Sequence, residues 1–357
     1  MGSIVRVFSP LGIPIAWLNV KTTRAYITNN YETEDFGTCQ FEISTKDSKC
    51  TNDVLQFGNI LFIEDENEQL PDWVGFIDTY SPRVWKYGVV EVNAVAAEKL
   101  LDWRIIYNIK LTGTTANMWR QMVYQVNNFV PNGIQVKPGY VYQGEQASNL
   151  LAMGTATDIA KQIAKFGGGI GGVVNKTRCD YSITGRINDR GTLDLYANLY
   201  EGQRGVDTGL ELTEHNTRGM EDELIEQGEI WNFVFVYSTS DTVQGRIIKT
   251  AKDNKSIAEH GLRVAIQEGV GQEPSGLQWQ ADRFIRLNKD PQKQLPVTLL
   301  NVNSLYASVD LGNKFTRKNV GIAGFSHGGI GLEEKVRITD FEVDDESGEV
   351  GASLEII

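Results

Sequence analysis

The chain has 357 residues, of which 41% are hydrophobic and 22% charged, so it is long enough for two or three folded domains and is not composed like a disordered protein. Lys and Arg number 34 against 46 Asp and Glu, a formal charge of −12 without any basic run, which argues against a surface that grips nucleic acid. No window approaches the ~20 apolar residues of a membrane helix and the first residues carry no evident export signal, so membrane insertion is not expected.

Short runs with β-strand character fill the first part of the chain. They cover residues 13–20, 25–29, 38–43 and 60–63 and are separated by turn-forming and charged residues. Together with the next two strands they predict a small antiparallel barrel or sandwich. The acidic segment 64–69 carries four carboxylates but lacks the spacing and the turn glycine of a calcium-binding EF-hand, so a solvated hairpin tip is favoured over a metal site.

The stretch 70–103 is predicted to form a strand, a turn, a second strand and a helix. The run 73–80 is apolar and aromatic, and 88–95 alternates apolar and polar residues as a half-buried strand does. Between them, Ser81 and Pro82 favour a turn or a bend. From Val95 to Trp103 the apolar residues recur every three to four positions, with Asn93 available as an N-cap, which indicates a helix.

A degenerate copy of this unit lies near the other end of the chain. Residues 336–340, VRITD, parallel 74–78, VGFID, and the GEV of 348–350 parallels the GVV of 88–90. Upstream, the VLQFGN of 54–59 corresponds to the SVDLGN of 308–313, and 344–348 has the composition of a polar hairpin turn. Two ordered matches with similar spacing predict a duplicated β-module; the alternative is that turn-flanked strands look alike by chance.

Two amphipathic helices are predicted in the middle of the chain, at 115–128 and 155–166. Their apolar faces consist of Met118, Met122, Val126 and Phe129 in the first helix and Ile159, Ile163 and Phe166 in the second. Thr155 and Asp158 occupy the N-cap and N3 positions of a capping arrangement. The glycine-rich segment 167–172 follows a helix and lacks the Lys-Ser/Thr pair of a P-loop, so a flexible connection is favoured over a phosphate site.

The remaining elements are predicted from turn residues and periodicity. A β-hairpin is expected over 180–199 around the NDRG turn at 188–191, and the polar, glycine-rich segment 201–229 indicates an irregular excursion. A strand at 230–238 has two faces, one with Phe233, Phe235 and Tyr237 and the other with Asn232, Val234 and Val236. Two helices are expected after it, one with a capping box at 256–259 and one marked by Leu277, Ala281, Phe284 and Ile285. From Pro296 onward strands and turns resume.

The sequence contains no constellation typical of catalysis or metal binding. Its cysteines form no CxxC pair and are predicted to be reduced and mostly buried, and its histidines lack HExxH or HxH spacing; these residues are Cys39, Cys50, Cys179, His215, His260 and His327. A nucleophile elbow and a P-loop are also missing. The sequence therefore predicts no catalytic, cofactor-binding or metal-binding residues, no cofactor and no enzymatic activity.

The order of these motifs resembles that of the tail hub proteins of tailed bacteriophages, the baseplate components also found in tailocins and related contractile injection systems. Four segments that span most of the chain carry the resemblance, namely strand 73–77 with the Leu100-Leu101 helix behind it, strand 231–236, segment 256–263 and the terminal GxV hairpin. The resemblance implies an α+β, mostly β fold with two similar antiparallel β-barrel modules and an α/β insertion. The expected division is 1–105 for the first barrel, 106–229 with 256–294 for the α/β domain, and 230–255 with 295–357 for the second barrel.

For function, the resemblance implies a structural protein of the virion at the tail tip or baseplate, assembled in the host cytoplasm. Three chains with two modules each would form a ring with pseudo-sixfold symmetry. The expected partners are a tail tube or distal tail protein, a tape measure protein, and a tip, spike or receptor-binding protein. DNA is expected only to pass through a lumen of negative or neutral potential. Because the last predicted strand runs to the end of the sequence, no appended hydrolase or spike is expected.

A second interpretation is a carbohydrate-binding or carbohydrate-active β-protein. It rests on seven tryptophans in an acidic chain, since lectins present aromatic platforms and a glycosidase needs two carboxylates across a cleft. Most of these tryptophans lie in predicted strands or helices, where packing in a core or an interface is the default; they are Trp73, Trp103, Trp119, Trp231 and Trp279. The positions of Trp17 and Trp85 leave both interpretations open. Oligomeric mass separates the two, because a hub should be a trimer.

Overall fold

The computed structural model shows a mostly β chain with few helices, as the sequence predicts. It describes residues 3–29, 35–65, 69–82, 88–128, 134–142, 148–166, 179–200, 205–212, 216–218, 225–227, 230–238, 247–260, 262–269, 274–289, 292–300, 305–311, 313–318 and 333–356. The predicted glycine-rich connection, Trp85, His215, His327 and Phe129 lie outside the described residues.

Seven antiparallel strands from the first third of the chain form one half of the main sheet. They are β1 (Ser3–Phe8), β2 (Pro14–Leu18), β3 (Thr22–Ile27), β4 (Thr38–Ser44), β5 (Ile60–Asp65), β6 (Trp73–Pro82) and β7 (Val89–Ala96). Their order in the sheet is β3-β4-β7-β6-β5-β1-β2. Along β7 every second residue is buried, including Val90, Val92 and Ala94, which confirms the predicted alternation.

The middle of the chain packs a helix pair and two small sheets on this first half. Its elements are β8 (Ile105–Gly113), α1 (Thr115–Val126), β9 (Val136–Val141), β10 (Ser148–Thr155), α2 (Ala156–Phe166), β11 (Tyr181–Ile187) and β12 (Leu193–Leu199). One core joins the apolar faces of both helices to side chains of β5 and β6 such as Phe62 and Phe76. The predicted helix faces are confirmed at Met118, Met122, Val126, Ile159 and Ile163, all of which are buried.

The rest of the chain completes the main sheet and forms one further small sheet. The elements are β13 (Asp207–Leu212), β14 (Thr217–Arg218), β15 (Ile225–Gln227), β16 (Phe233–Ser238), β17 (Ile248–Lys252), α3 (Asn254–His260), β18 (Val264–Gly269), α4 (Pro274–Asn288), β19 (Gln292–Leu299), β20 (Lys314–Lys318), β21 (Glu333–Asp344) and β22 (Glu349–Ile356). Strands β14 and β15 pair with β19, which continues through β22 to β21, and β20 and β13 extend the sheet from β21. Pairing of β21 with β3 joins both halves into one 14-stranded sheet.

Several local predictions are corrected by strand pairing. Ser81 and Pro82 do not form a turn but continue β6, where a bulge follows Ile77. Proline is tolerated there because, among the described residues, this part of β6 pairs with β7 alone. Asn93 lies inside β7, paired on both sides, so it cannot cap a helix. The helix that follows is a short 3₁₀ turn over Ala97–Leu101 instead of a helix that reaches Trp103.

Two other predictions are corrected in the second half of the chain. The segment predicted as an irregular excursion contributes β13, β14 and β15 to the main sheet, where β13 pairs with β20 and the other two strands pair with β19. The helix predicted to be capped by Ser256 begins earlier: Asp253 Oδ1 accepts hydrogen bonds from the N–H groups of Lys255 and Ser256, at 3.0 and 2.9 Å. Asp253 is therefore the N-cap of α3.

The strand pairings also differ from the predicted modules. We see no closed barrel in the described ranges; the main sheet is open and ends at short edge strands such as β2 and β14. Residues 230–255 were grouped with the last strands, but β16 and β17 pair with β18 and pack on α4 through Val234, Val236 and Leu277. The boundary predicted at residue 256 therefore divides one small sheet.

Candidate functional site

The central feature of the architecture is the antiparallel pairing of β3 with β21, called the joint below. Residues Thr23–Ile27 pair antiparallel with Asp340–Asp344, and this ladder links strands that lie more than 300 positions apart in the sequence. On the ladder, the ring of Tyr26 stacks on that of Phe341 with centroids 4.3 Å apart. One hydrophobic core takes in residues from both sides of the joint, including Phe41 and Val343. The two halves of the sheet are thus one cohesive body.

A buried ion pair closes one end of this joint. Arg24 Nη2 donates to Asp345 Oδ1 at 2.9 Å, and neither side chain is exposed to solvent. The Asp345 carboxylate also accepts from the Thr22 N–H at 3.0 Å, the Thr22 hydroxyl at 2.7 Å and the Ser3 hydroxyl at 3.0 Å. A carboxylate with this many donors is suited to a buried site, because its charge is both paired and hydrogen-bonded.

The surroundings of this pair are apolar enough to perturb neighbouring groups. Burial raises the pKa of the Cys39 thiol to about 12, an effect that the nearby Arg24 charge opposes. Burial likewise raises the pKa of Tyr26 far above its ordinary value. Both groups are therefore neutral at physiological pH. Cys39 is a free, buried thiol, in agreement with the reduced and mostly buried cysteines that the sequence predicts.

A second buried pair ties the joint to the middle of the chain. Arg337 on β21 donates from Nη1 to Asp180 Oδ2 at 3.3 Å, and each side chain is 1% exposed. Asp180 immediately precedes β11, whose first residue, Tyr181, donates its N–H to the Asn29 carbonyl at 2.8 Å. This contact fixes β11 against the end of β3. The two ion pairs thus hold three parts of the chain together.

Sequence reasoning missed all four of these charged residues. A signal was nevertheless present for Arg24, since it falls on the same face of its strand as Thr22 and Tyr26, and that face is buried. A charge on the inward period of a strand indicates a buried partner. No comparable pattern identified Asp345, which directly follows β21 in a polar turn.

The turns at Asn59 and Asn313 make similar hydrogen bonds. Asn59 donates its N–H to the carbonyl of Gln56 at 3.1 Å and its side-chain amide to that of Val54 at 3.1 Å. Asn313 donates its N–H to the carbonyl of Asp310 at 3.1 Å and its side-chain amide to that of Ser308 at 2.8 Å. In both turns the two acceptors lie three and five residues before the asparagine. These residues occupy equivalent positions in the segments 54–59 and 308–313, which the sequence comparison matches.

Each asparagine is held by the hairpin that follows it. The carbonyl of Asn59 accepts from the Ile77 N–H at 2.8 Å, and that of Asn313 accepts from the Ile338 N–H at 3.1 Å. A β-bulge directly follows both isoleucines, and the partner strands end their pairing in the same register at Ala96 and Ile356. The sequence comparison matches Ile77 with Thr339, whereas the structure matches it with Ile338, so the comparison is one residue out of register in β21. The match of β22 with β7 is correct.

Two exposed apolar surfaces are candidates for contact with partners. The face of the β17-β16-β18 sheet opposite α4 carries the half-buried Phe233 and Phe235 beside Ile266, which is 73% exposed. The edge strand β2 and the turn before it expose further apolar groups, with Trp17 60% exposed. Patches of this kind on a folded chain mark sites of association.

The tryptophans divide between core and surface. Trp73 and Trp119 are buried as predicted, and Trp119 donates from Nε1 to the Ala197 carbonyl at 3.3 Å. Trp103, for which packing in a core or an interface is expected, is 43% exposed, and its ring packs edge to face on that of Phe76 with centroids 5.1 Å apart. Trp231 and Trp279 are half-buried. The buried indoles of Trp73 and Trp119 are therefore structural and offer no sugar platform.

The chemical inventory of the described ranges is sparse. Among these residues, no group of three His, Cys, Asp or Glu side chains is arranged to hold a metal ion. Within the same ranges no helix is long and apolar enough to cross a membrane. The arrangement that the structure does present is one of joints, edges and apolar faces.

Comparison with known proteins identifies this architecture. No protein-family model and no curated protein matches the sequence. Among solved structures, the chain is similar to the 43 kDa tail protein of prophage MuSo2 from Shewanella oneidensis, with 15% identity, a TM-score of 0.58, and coverage of 100% of this chain and 98% of that one.

Two further tail proteins match over almost their whole length. A tail protein from Neisseria meningitidis MC58 aligns with a TM-score of 0.60 at 12% identity, covering 99% of this chain and 97% of that one. Prophage tail protein gp18 from Listeria monocytogenes EGD-e aligns with a TM-score of 0.56 at 8% identity, covering 99% and 94%. The resemblance predicted from the motif order is thus confirmed at the level of the fold: the chain has the fold of phage tail proteins.

Proposed function

We propose that this protein is a tail hub, a structural component of which three copies form a ring with pseudo-sixfold symmetry. The observation that carries the proposal is the repeated turn-and-bulged-hairpin unit, present once around Asn59 and Ile77 and once around Asn313 and Ile338. A chain with two equivalent units gives six units in a trimer. Similarity to three tail proteins over nearly their full lengths supports the same conclusion.

Such a ring acts as an adapter between components of different symmetry. Its six similar units match a sixfold tail tube or distal tail protein, whereas the segments present once per chain keep threefold symmetry towards a tip, spike or receptor-binding protein. One end of a tape measure protein would lie at this ring. We propose a location at the tail tip or baseplate of the virion, with DNA passing through the lumen.

The proposed domain boundaries within the chain follow the two units. We propose residues 1–105 as the first module and 295–357 as the centre of the second, with β13–β15 added to it, and 106–200 as the insertion. The small sheet of β16–β18 with α4 is then a separate once-per-chain element, and its apolar face, which includes Phe235 and Ile266, is a candidate contact for the threefold partner.

The charge of the chain fits a conduit that does not retain DNA. A charge of −12 per chain opposes the phosphate contacts and counterion release that make DNA bind. The purified protein should therefore show no salt-sensitive affinity for duplex DNA in a mobility-shift assay, and tight binding that weakens with salt would contradict a passive lumen.

The experiment that tests the proposal is a measurement of assembly. Mass photometry of the purified chain across a concentration series should show a species of three chain masses, and averaged electron micrographs should show a ring with six similar lobes. A hexamer of chains, or a monomer at every concentration, would refute the trimeric hub. Hydrolysis of cell-wall murein, lost on substitution of one carboxylate or serine, would refute the absence of an enzymatic role.

A further inference from the structure

The pairing of β3 with β21 within one chain predicts an equivalent strand pairing between neighbouring chains. The inference rests on the proposed trimer and uses the duplication residue by residue. Since Ile77 and Ile338 are equivalent, the residues after the two bulges are equivalent as well: Thr79, which pairs with Asn93, corresponds to Asp340, which pairs with Ser353. The end of β6 is thus the counterpart of the part of β21 that forms the joint.

The other side of the joint also has a counterpart. Strand β4 flanks β7 as β19 flanks β22, with Ile43 opposite Val90 and Leu299 opposite Val350. Strand β3 lies on the outer side of β4, and β15 lies on the outer side of β19, where Ile225 pairs with Gln294. When the β3–β4 register is continued to the end of β3, Ile225–Gln227 correspond to residues 25–27.

Both counterparts have an open side. In the described part of the chain, Thr79–Pro82 pair with β7 on one side and with no strand on the other. Ile225–Gln227 likewise pair with β19 and with no second strand among the described residues. Open edges of this kind are avoided or covered in native proteins. Within the chain, the equivalent edges of β21 and β3 cover each other.

We propose that the end of β6 in one copy pairs antiparallel with β15 of the next copy, repeating the β3–β21 joint between chains. The register follows from the joint, where Asp340, Phe341 and Glu342 lie opposite Ile27, Tyr26 and Ala25. The equivalent pairs between chains are Thr79 with Gln227, Tyr80 with Glu226, and Ser81 with Ile225. Pro82 lacks an N–H group, so it ends the donor side of this short ladder.

The hydrogen-bonding pattern of the joint assigns the roles of these pairs. At its two ends, Thr28 donates its N–H to the Thr339 carbonyl at 3.0 Å and Asp345 donates to the Thr22 carbonyl at 2.9 Å. Hydrogen-bonded pairs alternate in an antiparallel ladder, so Tyr26 with Phe341 is one of them. By equivalence, Tyr80 and Glu226 are the hydrogen-bonded pair between chains, and the flanking pairs are the close, non-hydrogen-bonded type.

This contact is directional, which matters for assembly. Each chain offers the end of β6 at one side and β15 at the other, so the contact is head to tail and closes into a ring when the rotation per chain is a third of a turn. Joints within chains and joints between chains then alternate around that ring. A twofold dimer is not produced by such a contact.

The test is a disulfide across the close pair of Thr79 and Gln227. In a full-length Cys50→Ser background, the variant Thr79→Cys/Gln227→Cys should give, on mild oxidation, covalent trimers on non-reducing gels, because close cross-strand pairs lie within disulfide range. Each single-cysteine variant should give none. A matched register control, Thr79→Cys/Glu226→Cys, places the second thiol on the other face of β15 and should also give none.

A second variant tests the backbone contact without any added cysteine. Glu226→Pro removes the N–H that faces the neighbouring chain and leaves the pairing of Ile225 and Gln227 with β19 in place. We expect the concentration at which half the chains are trimeric to rise about tenfold or more, while Glu226→Ala, which keeps the N–H, leaves it within about threefold.

The outcomes separate this inference from the proposed function. Trimers by mass that do not cross-link through Thr79→Cys and Gln227→Cys would overturn the strand pairing and leave the trimeric hub standing. Cross-linking in the register control alone would overturn the pairing as well. Monomers at all concentrations, with no cross-link, would overturn both. Cross-linked trimers in the double variant only, together with weakened assembly of Glu226→Pro, would support the pairing.

Discussion

The buried ion pair at the joint provides the sharpest test of what holds the two sheet halves together. Asp345→Asn keeps the size of the side chain but removes its charge and leaves the Arg24 guanidinium buried without its anion. At the observed 2.9 Å, an effective dielectric constant of 20 gives a gross attraction of roughly 6 kcal/mol. Breaking one partner of a buried pair costs about 3–5 kcal/mol, and the 0% exposure of both side chains places this pair in that class.

The expected loss is therefore about 3–5 kcal/mol in the free energy of unfolding, measured by urea denaturation. Because the pair closes the joint, hydrogen exchange of the β3 and β21 amides should also accelerate before that of α1 and α2. The matched control is the exposed pair of Arg218 with Glu349, at 3.7 Å and with side chains 69% and 55% exposed. Glu349→Gln should change the free energy of unfolding by at most about 1 kcal/mol.

A double substitution distinguishes the charge from the packing. Arg24→Met combined with Asp345→Asn removes the unpaired cation, so at least half of the loss should be recovered, since an apolar replacement of a buried pair is often neutral. The reasoning is wrong if Asp345→Asn costs less than about 1 kcal/mol, or if the double variant is no more stable than the single one.

Two further predictions concern the repeated turn and the cap of α3. Asn59→Ala removes the side-chain hydrogen bonds to the carbonyls of Asp53 and Val54, and Asn313→Ala removes the one to the carbonyl of Ser308. Each variant should lower the free energy of unfolding by about 1–3 kcal/mol in urea titration, and an effect at only one of the two positions would contradict their equivalence. At Asp253, backbone hydrogen bonds from Ser256 and the ion pair with Lys289 at 3.0 Å hold the pKa of the carboxyl below its usual value. Because the pKa of this carboxyl is lower in the folded than in the unfolded chain, its charge stabilises the fold above the unfolded-state pKa, and that stabilisation is lost as pH falls through the folded-state pKa. The melting temperature of the wild type should therefore exceed that of Asp253→Asn at pH 7, and the difference should shrink below about pH 4. A constant difference across this range would be inconsistent with the assignment.

Much of the fold follows from local pattern. The apolar faces of α1 and α2 were predicted because Met118, Met122 and Ile159 recur with the period of a helix, and each is buried. The hairpin turn at 188–191 and the alternation along β16 were equally local, and both are present. The errors are also local: Ser81, Pro82 and Asn93 have turn or cap propensities that strand pairing on β7 overrides.

The sequence by itself determined the strand-rich composition, the helix faces, the duplicated turn with its asparagine and hairpin, and through their order the resemblance to tail hubs. Only the tertiary structure decided that β3 pairs with β21, that β16 and β17 belong with β18, and that Arg24 meets Asp345. The physical reason is range. Periodicity and turn chemistry act over a few residues, whereas these contacts join positions tens to hundreds apart, where register and burial are set by which edges remain open after local strands have paired.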